Sequence, residues 1–265
     1  MLTQLQGISG PEGAAIARRK AGKLQHGGMI VKIQILELIE GAKRAEGLTV
    51  IIDVFRAFTT ECYCFAGGAA ACYPIGALED AFALKRQHPD WVLLGERGGA
   101  KVEGCDLGNS PWDAVNYDFR HKTMIHTTGA GTQGIVNAAK AGASQIVTGS
   151  LVNAKAVCAY IRSQDPETVS LTAMGIAGTK SAPEDLLAAN YMKALLEGAD
   201  FDIDGKIAYL KDHGGEQFFD PKLAHIFPRE DYPLCVAVDR FDFVLRVEKE
   251  EEALVIRKTE IGRNT

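Results

Sequence analysis

The sequence predicts a three-layer α/β/α protein with a mainly parallel sheet. Short continuous apolar runs, which are typical of strands buried on both faces, recur along the chain and alternate with helical stretches. This alternation indicates parallel βαβ units. From residue 234 onward the pattern changes to short strands joined by polar turns, which predicts an antiparallel C-terminal addition.

The individual elements can be placed along the chain in order. Strands are predicted over 30–38, 48–52, a segment between 69 and 76, 91–94, 123–125, 145–147, 169–171, 234–238, 241–247 and 253–257. Helices are predicted over 60–66, 78–87, 133–140, 153–162 and 183–196. Pro183 suits the first turn of the last of these helices. The segments 68–78 and 142–151 follow a similar order of elements, which is compatible with an internal duplication, although the general similarity of βαβ units explains the same pattern.

Composition and charge limit the class of protein. The chain has 265 residues, of which 46% are hydrophobic and 24% charged, enough for a sizeable core. Residues 1–28 are rich in Gly, Ala and basic residues and are predicted to be an extension, and residues 29–265 to be one α/β domain. A net charge of −5 disfavours a nucleic-acid partner.

The predicted location and partners follow from the same features. No apolar run approaches the roughly 20 residues that span a bilayer, and no leader is recognisable, so we expect a cytoplasmic protein without a membrane partner. Its expected partner is a small anionic substrate, captured locally. A symmetric homodimer is the base-rate expectation.

The cysteines and histidines disfavour a zinc or disulfide framework. The six cysteines include no C-x-x-C pair, and the six histidines are scattered. The cysteines are therefore interpreted as reduced thiols in the core. A metal bound here would have oxygen ligands, which points to Mg²⁺.

Polar side chains follow the buried strands. Asp53 follows 48–52, Glu96 and Arg97 follow 91–94, and residues 127–128 and 149–150 follow the next two strands. In open parallel sheets, ligands bind outside the carboxyl ends of the strands, so we expect these positions to meet in one crevice.

The segment 53–61 (DVFRAFTTE) contains the first group of candidate residues. Asp53 could be a metal ligand and Arg56 a forked phosphate clamp. Thr59 and Thr60 could donate to an anion at a helix start. A structural Asp–Arg ion pair with a capping threonine explains the same pattern equally well.

The segment 95–111 is the second group, a glycine-rich loop after a strand. Glu96, Arg97, Asp106 and Asn109 supply acidic, basic and amide groups where the backbone can approach a ligand closely. A mobile surface loop is the alternative. The Glu–Arg pair repeats the chemistry of Asp53 and Arg56, which favours a functional role.

The segment 127–134 (TTGAGTQG) contains G-x-G-x-x-G between a strand and a helix, the context of a dinucleotide site. The carboxylate that such a site requires at the end of the next strand is missing, because that strand ends in Thr-Gly-Ser. Thr128, Gly131 and Thr132 are therefore interpreted as an anion cradle at a helix N-terminus. A nucleotide- or anion-binding protein built on 129–134 is the alternative function.

Smaller signals complete the set. Ser150 and Asn153 are candidates for substrate binding, although helix capping explains Asn153. Glu184 and Asp185 suit the first turn of a helix, with a metal role left open. His126 could shuttle protons, but a buried histidine satisfied by its neighbours is commoner.

Taken together, these motifs resemble the 2-phosphosulfolactate phosphatase family. The matching strings are 53–57 with 59–60, 95–99 (GERGG), 106–111 (DLGNSP), 149–150 with Asn153, and 184–187. The resemblance covers roughly 29–250 and implies Mg²⁺-dependent hydrolysis of 2-phospho-3-sulfolactate to 3-sulfolactate and phosphate, a step of coenzyme M synthesis in methanogens. Family members tend to carry Thr-Asn-Gly-Thr at 129–132, so an amide is missing at Ala130.

The resulting hypothesis assigns roles by chemistry. Asp53 and Glu96, with Asp106, would hold Mg²⁺ directly or through water. Arg56 and Arg97 would hold the phosphate and the sulfonate. Thr59, Thr60, Asn109, Thr128, Gly131, Thr132, Ser150 and Asn153 would supply further contacts to the substrate.

Overall fold

The computed structural model of the chain describes residues 25–26 and 29–261. Gln25–His26 (β1) and Met29–Ile30 (β2) form a short antiparallel ladder. The rest of the predicted extension over 1–28 lies outside the described residues, and the domain boundary at 29 stays a prediction.

Ten further strands form one sheet. They are β3 (Lys32–Glu37), β4 (Leu48–Ile52), β5 (Ala71–Pro74), β6 (Val92–Arg97), β7 (Ala100–Lys101), β8 (Thr123–Thr127), β9 (Gln145–Gly149), β10 (Thr168–Ala173), β11 (Phe243–Glu250) and β12 (Ala253–Glu260). Their order across the sheet is β3-β10-β4-β9-β11-β12-β5-β8-β6-β7.

The sheet consists of two parallel groups joined by a hairpin. Strands β3, β10, β4 and β9 are parallel to one another, as are β5, β8 and β6. The hairpin β11–β12 pairs antiparallel with β9 on one side and with β5 on the other. The predicted antiparallel addition is thus confirmed, and it occupies the centre of the sheet. The internal duplication stays a prediction.

Helices cover both faces of this sheet. They are α1 (Leu38–Ala42), α2 (Ala57–Ala66), α3 (Leu78–Gln87), α4 (Pro111–Val115), α5 (Gly131–Ala141), α6 (Ala154–Gln164), α7 (Pro183–Glu197), α8 (Ile203–Leu210) and α9 (Asp231–Cys235). Short 3-10 turns span Leu151–Asn153 and Glu216–Phe218. Within the described residues, no helix has both the length and the apolar character needed to cross a membrane.

Strand β4 shows how the two faces are filled. Val50 and Ile52 pack in one apolar cluster with residues of α6 and α7, whereas Ile51 packs in another with residues of α1, α2 and α5. Every residue of β4 is buried, as the continuous apolar run LTVII predicts. Burying a side chain of this size stabilises the fold by about 1.5–3 kcal/mol. The predicted three-layer α/β/α class is confirmed.

The structure corrects one predicted strand. Residues 234–238 are not a strand, because Asp231–Cys235 forms α9. Pro233 lies in the first turn of that helix, where its missing N–H costs nothing, whereas it could not join a central strand. Helices α1, α4, α8 and α9 were not predicted.

The two parallel groups meet at their carboxyl ends. Asp53 follows β4 and Gly131 opens the helix after β8, yet the amide of Gly131 donates to Oδ2 of Asp53 over 3.0 Å. In a flat sheet, β4 and β8 would lie about 24 Å apart, five strand spacings. The sheet therefore coils strongly through the hairpin, and the connections reach inward from both groups.

Candidate active site

A cavity of about 430 Å³ lies where the two groups meet. Four carboxylates line it: Asp53, Glu96, Glu184 and Asp185. The loops after β4, β6, β8 and β10 all contribute to its wall. The convergence expected from the strand ends is therefore present in part: Asp53, Glu96 and the loop after residues 127–128 meet here, residues 149–150 at the end of β9 do not line the cavity, and the loop after β10 does.

Asp53 lies between two helix starts. Its Oδ1 accepts from the amide of Ala57 in α2 over 3.3 Å, and its Oδ2 accepts from Gly131 in α5. Burial, followed by the charges of Asp185 and Glu96, raises the pKa of Asp53 well above its ordinary value. The helix N-termini favour the charged form, while the surroundings disfavour it.

Glu96 joins two glycine loops. Its Oε1 accepts from the amide of Gly129 and its Oε2 from that of Gly99, both over 2.8 Å. The amides of Gly129 and Gly131 thus donate to protein carboxylates. The segment 129–134 organises the acidic residues and does not offer these two donors to a nucleotide.

Glu184 and Asp185 come from the first turn of α7. Asp185 accepts from the amides of Val54 and Gly175, each over 2.7 Å, so it ties α7 to the loops after β4 and β10. Burial raises the pKa of Glu184 to about 8 and that of Asp185 to about 8, and the charge of Glu184 adds to the effect at Asp185. The helix dipole alone does not account for two carboxylates so deeply buried.

The two predicted arginines are both anchored within the protein. Arg56 borders the cavity, donates through Nη1 to Asp231 over 2.7 Å and through Nη2 to the carbonyl of Gly99 over 2.6 Å. Arg97 donates to the carbonyl of Glu96 over 2.6 Å and to Oγ1 of Thr127 over 3.0 Å. The Asp–Arg ion pair considered from the sequence exists, with Asp231 as the acid in place of Asp53. The peptide bond between Phe55 and Arg56 is cis.

The predicted threonine donors bond within the protein. Thr59 donates to the carbonyl of Val54 over 2.8 Å, and Thr60 donates to the carbonyl of Asn109 over 2.9 Å. Thr128 and Thr132 exchange bonds in which each hydroxyl accepts from the other residue's amide. All four threonines support the loops and are absent from the cavity wall.

Of the remaining candidates, some line the cavity and others do not. Ser150 and Asn153 form a capping box behind it, and the amide of Ser150 donates to Oδ1 of Asn153 over 2.9 Å. Asp106 accepts from Lys85 and from the amide of Leu93, both over 2.8 Å, away from the cavity. Apart from the four carboxylates, the candidates that line the cavity are Asn109 and Arg56.

Comparison with known proteins identifies the family. A family model described as 2-phosphosulpholactate phosphatase matches residues 33–250. This chain belongs to the 2-phosphosulfolactate phosphatase family.

Individual relatives agree with this assignment. A Bacillus subtilis protein named "Probable 2-phosphosulfolactate phosphatase" is 31% identical over 80% of this chain and 91% of the relative. A protein of the same name from Carboxydothermus hydrogenoformans is 38% identical over 63% of this chain and 68% of the relative. Another from Synechocystis is 37% identical over 58% and 64%, respectively.

Membership of the 2-phosphosulfolactate phosphatase family supports the main interpretation of the sequence over the nucleotide-binding alternative. Sequence reasoning gave Glu184 and Asp185 only an open metal role and missed Lys180, all of which line the cavity. One signal could have found them. They follow β10, a buried strand, and the rule applied to the ends of the other strands extends to this one.

Proposed function

We propose that this protein hydrolyses the phosphate monoester of 2-phospho-3-sulfolactate, or of a closely related small phosphorylated acid, with Mg²⁺ as cofactor. One observation carries the proposal: Asp53, Glu96, Glu184 and Asp185 line one cavity in a family of phosphatases. The charges of Asp185 and Glu96 raise the pKa of Asp53, and that of Asp53 raises the pKa of Glu184, so the carboxylates repel one another. A divalent cation would relieve that repulsion.

The donor set fits Mg²⁺. The available ligand atoms are carboxylate oxygens, which hard cations prefer, and Asp53, Glu184 and Asp185 all have raised pKa values that indicate unfavourable negative charge. Glu184, whose carboxylate accepts no bond from another residue's side chain or amide among those described, is the first choice as a direct ligand. Asp53 and Glu96 would reach the ion through bound water, since among the described residues no three of these carboxylates have oxygens near enough to share one ion directly. When bound, Mg²⁺ would neutralise charge on the phosphoryl oxygens. Asp106 is omitted, since its contacts lie elsewhere.

The cavity also offers cationic and amide groups for the anionic substrate. Its volume of about 430 Å³ suits a small acid. Lys180 lines the cavity and makes no ion pair with any described residue, so it is available to a sulfonate or carboxylate. Arg56 retains N–H groups beyond the two that contact Asp231 and Gly99. Hydrolysis places a water oxygen on phosphorus and returns a proton to the leaving alkoxide.

The test is phosphate release from a panel of small phosphorylated acids that includes 2-phospho-3-sulfolactate, with Mg²⁺ and with EDTA. We expect release that depends on Mg²⁺ and is lost in Asp53→Asn and Glu184→Gln. Glu79→Gln, on the exposed side of α3, is the matched control and should retain activity. If the folded wild-type protein releases phosphate from none of these compounds, the proposal is contradicted.

A cytoplasmic location and a symmetric dimer are further proposals. All six cysteines are free and buried, which supports a reducing compartment. Fractionation of cells and the molar mass in solution would test the two separately.

A further inference from the structure

Three buried side chains form a hydrogen-bonded chain beneath the cavity. Nδ1 of His126 lies 2.7 Å from Oε1 of Glu61, and Nε2 of His126 lies 2.7 Å from Oδ1 of Asn109. Glu61 and His126 are fully buried in α2 and β8, and Asn109 is 4% exposed at the cavity wall. We call these residues the Glu61–His126–Asn109 chain.

The placement of the Asn109 amide oxygen against His126 determines where the protons are. Oδ1 of Asn109 can only accept, so Nε2 of His126 must carry a hydrogen. The contact between Nδ1 and Oε1 also needs one proton, held either by the imidazole or by the carboxyl group. In both cases Nε2–H points at Asn109.

A metal ion does not fit at this position. Glu61, His126 and Cys72 are close enough in space to be considered as ligands. Two ligand atoms on a tetrahedral zinc ion lie about 3.4 Å apart, given bonds of about 2.1 Å. The 2.7 Å between Nδ1 and Oε1 is instead the length of a strong hydrogen bond.

The chain determines which end of the Asn109 amide faces the cavity. With Oδ1 bound to His126, the amide N–H₂ is the end left for the cavity. The backbone carbonyl of Asn109 is separately held by Thr60 over 2.9 Å. We propose that Glu61 and His126 are positioning residues, which hold the Asn109 N–H₂ group toward an anionic oxygen of the substrate. That an anionic oxygen of a substrate binds there depends on the proposed function. The orientation of the Asn109 amide does not.

The first experiment reads the orientation directly in the full-length protein. Nitrogen-15 NMR of the histidine rings, with His126→Gln to assign the signals, should show Nε2 of His126 protonated. A ring protonated at Nδ1 alone would overturn the proposal. This measurement needs no substrate, so it decides the inference even if the protein proves inactive as a phosphatase.

The second experiment separates positioning from packing. Glu61→Gln can still donate an amide hydrogen to Nδ1, whereas Glu61→Leu cannot. We expect Glu61→Leu and Asn109→Leu to weaken binding of inorganic phosphate, in the presence of Mg²⁺, by about tenfold, the effect of one hydrogen bond to a charged group. Glu61→Gln should retain most of the affinity. Equal losses in the two folded Glu61 variants would overturn the positioning role.

Discussion

Arg56 and Asp231 form a buried ion pair, in which Nη1 of the arginine lies 2.7 Å from Oδ2 of the aspartate. The other oxygen of Asp231 accepts from Oγ of Ser110 over 2.7 Å and from the amide of Trp112 over 3.0 Å. One carboxylate therefore connects the start of α2 with α4 and α9. Because Arg56 also borders the cavity, this pair links the stability of the fold to the shape of the site.

Replacement of Asp231 should destabilise the folded protein. Asp231→Ala leaves the Arg56 guanidinium buried without its partner, so we expect the free energy of unfolding to fall by about 3–5 kcal/mol. Urea denaturation would measure the loss. The control is Asp118→Ala, which breaks the exposed pair with Arg120 and should leave the unfolding midpoint unchanged. A similar small change in both variants would contradict the role given to the buried pair.

The buried carboxylates of Glu184 and Asp185 predict how the free energy of unfolding depends on pH when no metal is bound. Burial raises the pKa of Glu184 and of Asp185 to about 8, against about 4 in the unfolded chain. Between these values the folded protein binds more protons, so its free energy of unfolding should fall as the pH rises from about 4 to about 8. Thermal unfolding in EDTA across this range would show the slope.

Two additions sharpen that experiment. Glu184→Gln should flatten the slope, whereas Glu79→Gln should not, because Glu79 is exposed on α3. Mg²⁺ should restore stability most at high pH, where the carboxylates are charged. A slope of the opposite sign, or one that Glu184→Gln leaves unchanged, would count against the buried acidic cluster.

Gly131 is expected to tolerate no side chain. A Cβ atom there would lie 2.9 Å from Oδ2 of Asp53 and 2.9 Å from Cζ of Phe58. Gly131→Ala should displace Asp53 and lower kcat by about a hundredfold, as small misplacements of reacting groups can. Gly67→Ala is the control, because Gly67 has an ordinary φ of −75°, a Cβ atom there would come no closer than 3.3 Å to a neighbour, and the residue does not line the cavity. Full activity in Gly131→Ala would show that catalysis does not require Asp53 to occupy this position.

Lys180 should determine preference for a second anionic group. Lys180→Gln is expected to raise KM for 2-phospho-3-sulfolactate about fivefold, equivalent to ~1 kcal/mol for a partly exposed charge pair. KM for phenyl phosphate, which lacks the sulfonate and carboxylate, should not change. Lys193→Gln on α7 serves as the control. An equal rise for both substrates would assign Lys180 to phosphate binding instead.

Much of the fold and part of the site followed from local sequence patterns. The run LTVII predicted a strand buried on both faces, and β4 is such a strand. The polar residue after it, Asp53, was predicted to share a crevice with Glu96, and both line the cavity. These predictions worked because the strand period and the carboxyl-end rule depend on residues adjacent in the chain.

Other features depend on residues far apart in the sequence. Nothing near Arg56 reveals that its partner is Asp231, which lies 175 residues later. The position of β11–β12 at the sheet centre is likewise invisible in a pattern that predicts only a hairpin. The carboxyl-end rule applied to β10 could have placed Glu184 and Asp185 near the site, but the burial of their carboxylates depends on how α7 packs. Tertiary contacts decide these three features.

The central hairpin is synthesised after both parallel groups. The ribosome releases β9 and β5 long before β11 and β12 exist, so each parallel group at first has an open edge that could pair with another chain. A product truncated before Phe243 would contain every residue of the cavity wall and still lack the strands that unite the two groups. A late stop codon would therefore abolish the enzyme without deleting a single side chain of its proposed catalytic centre.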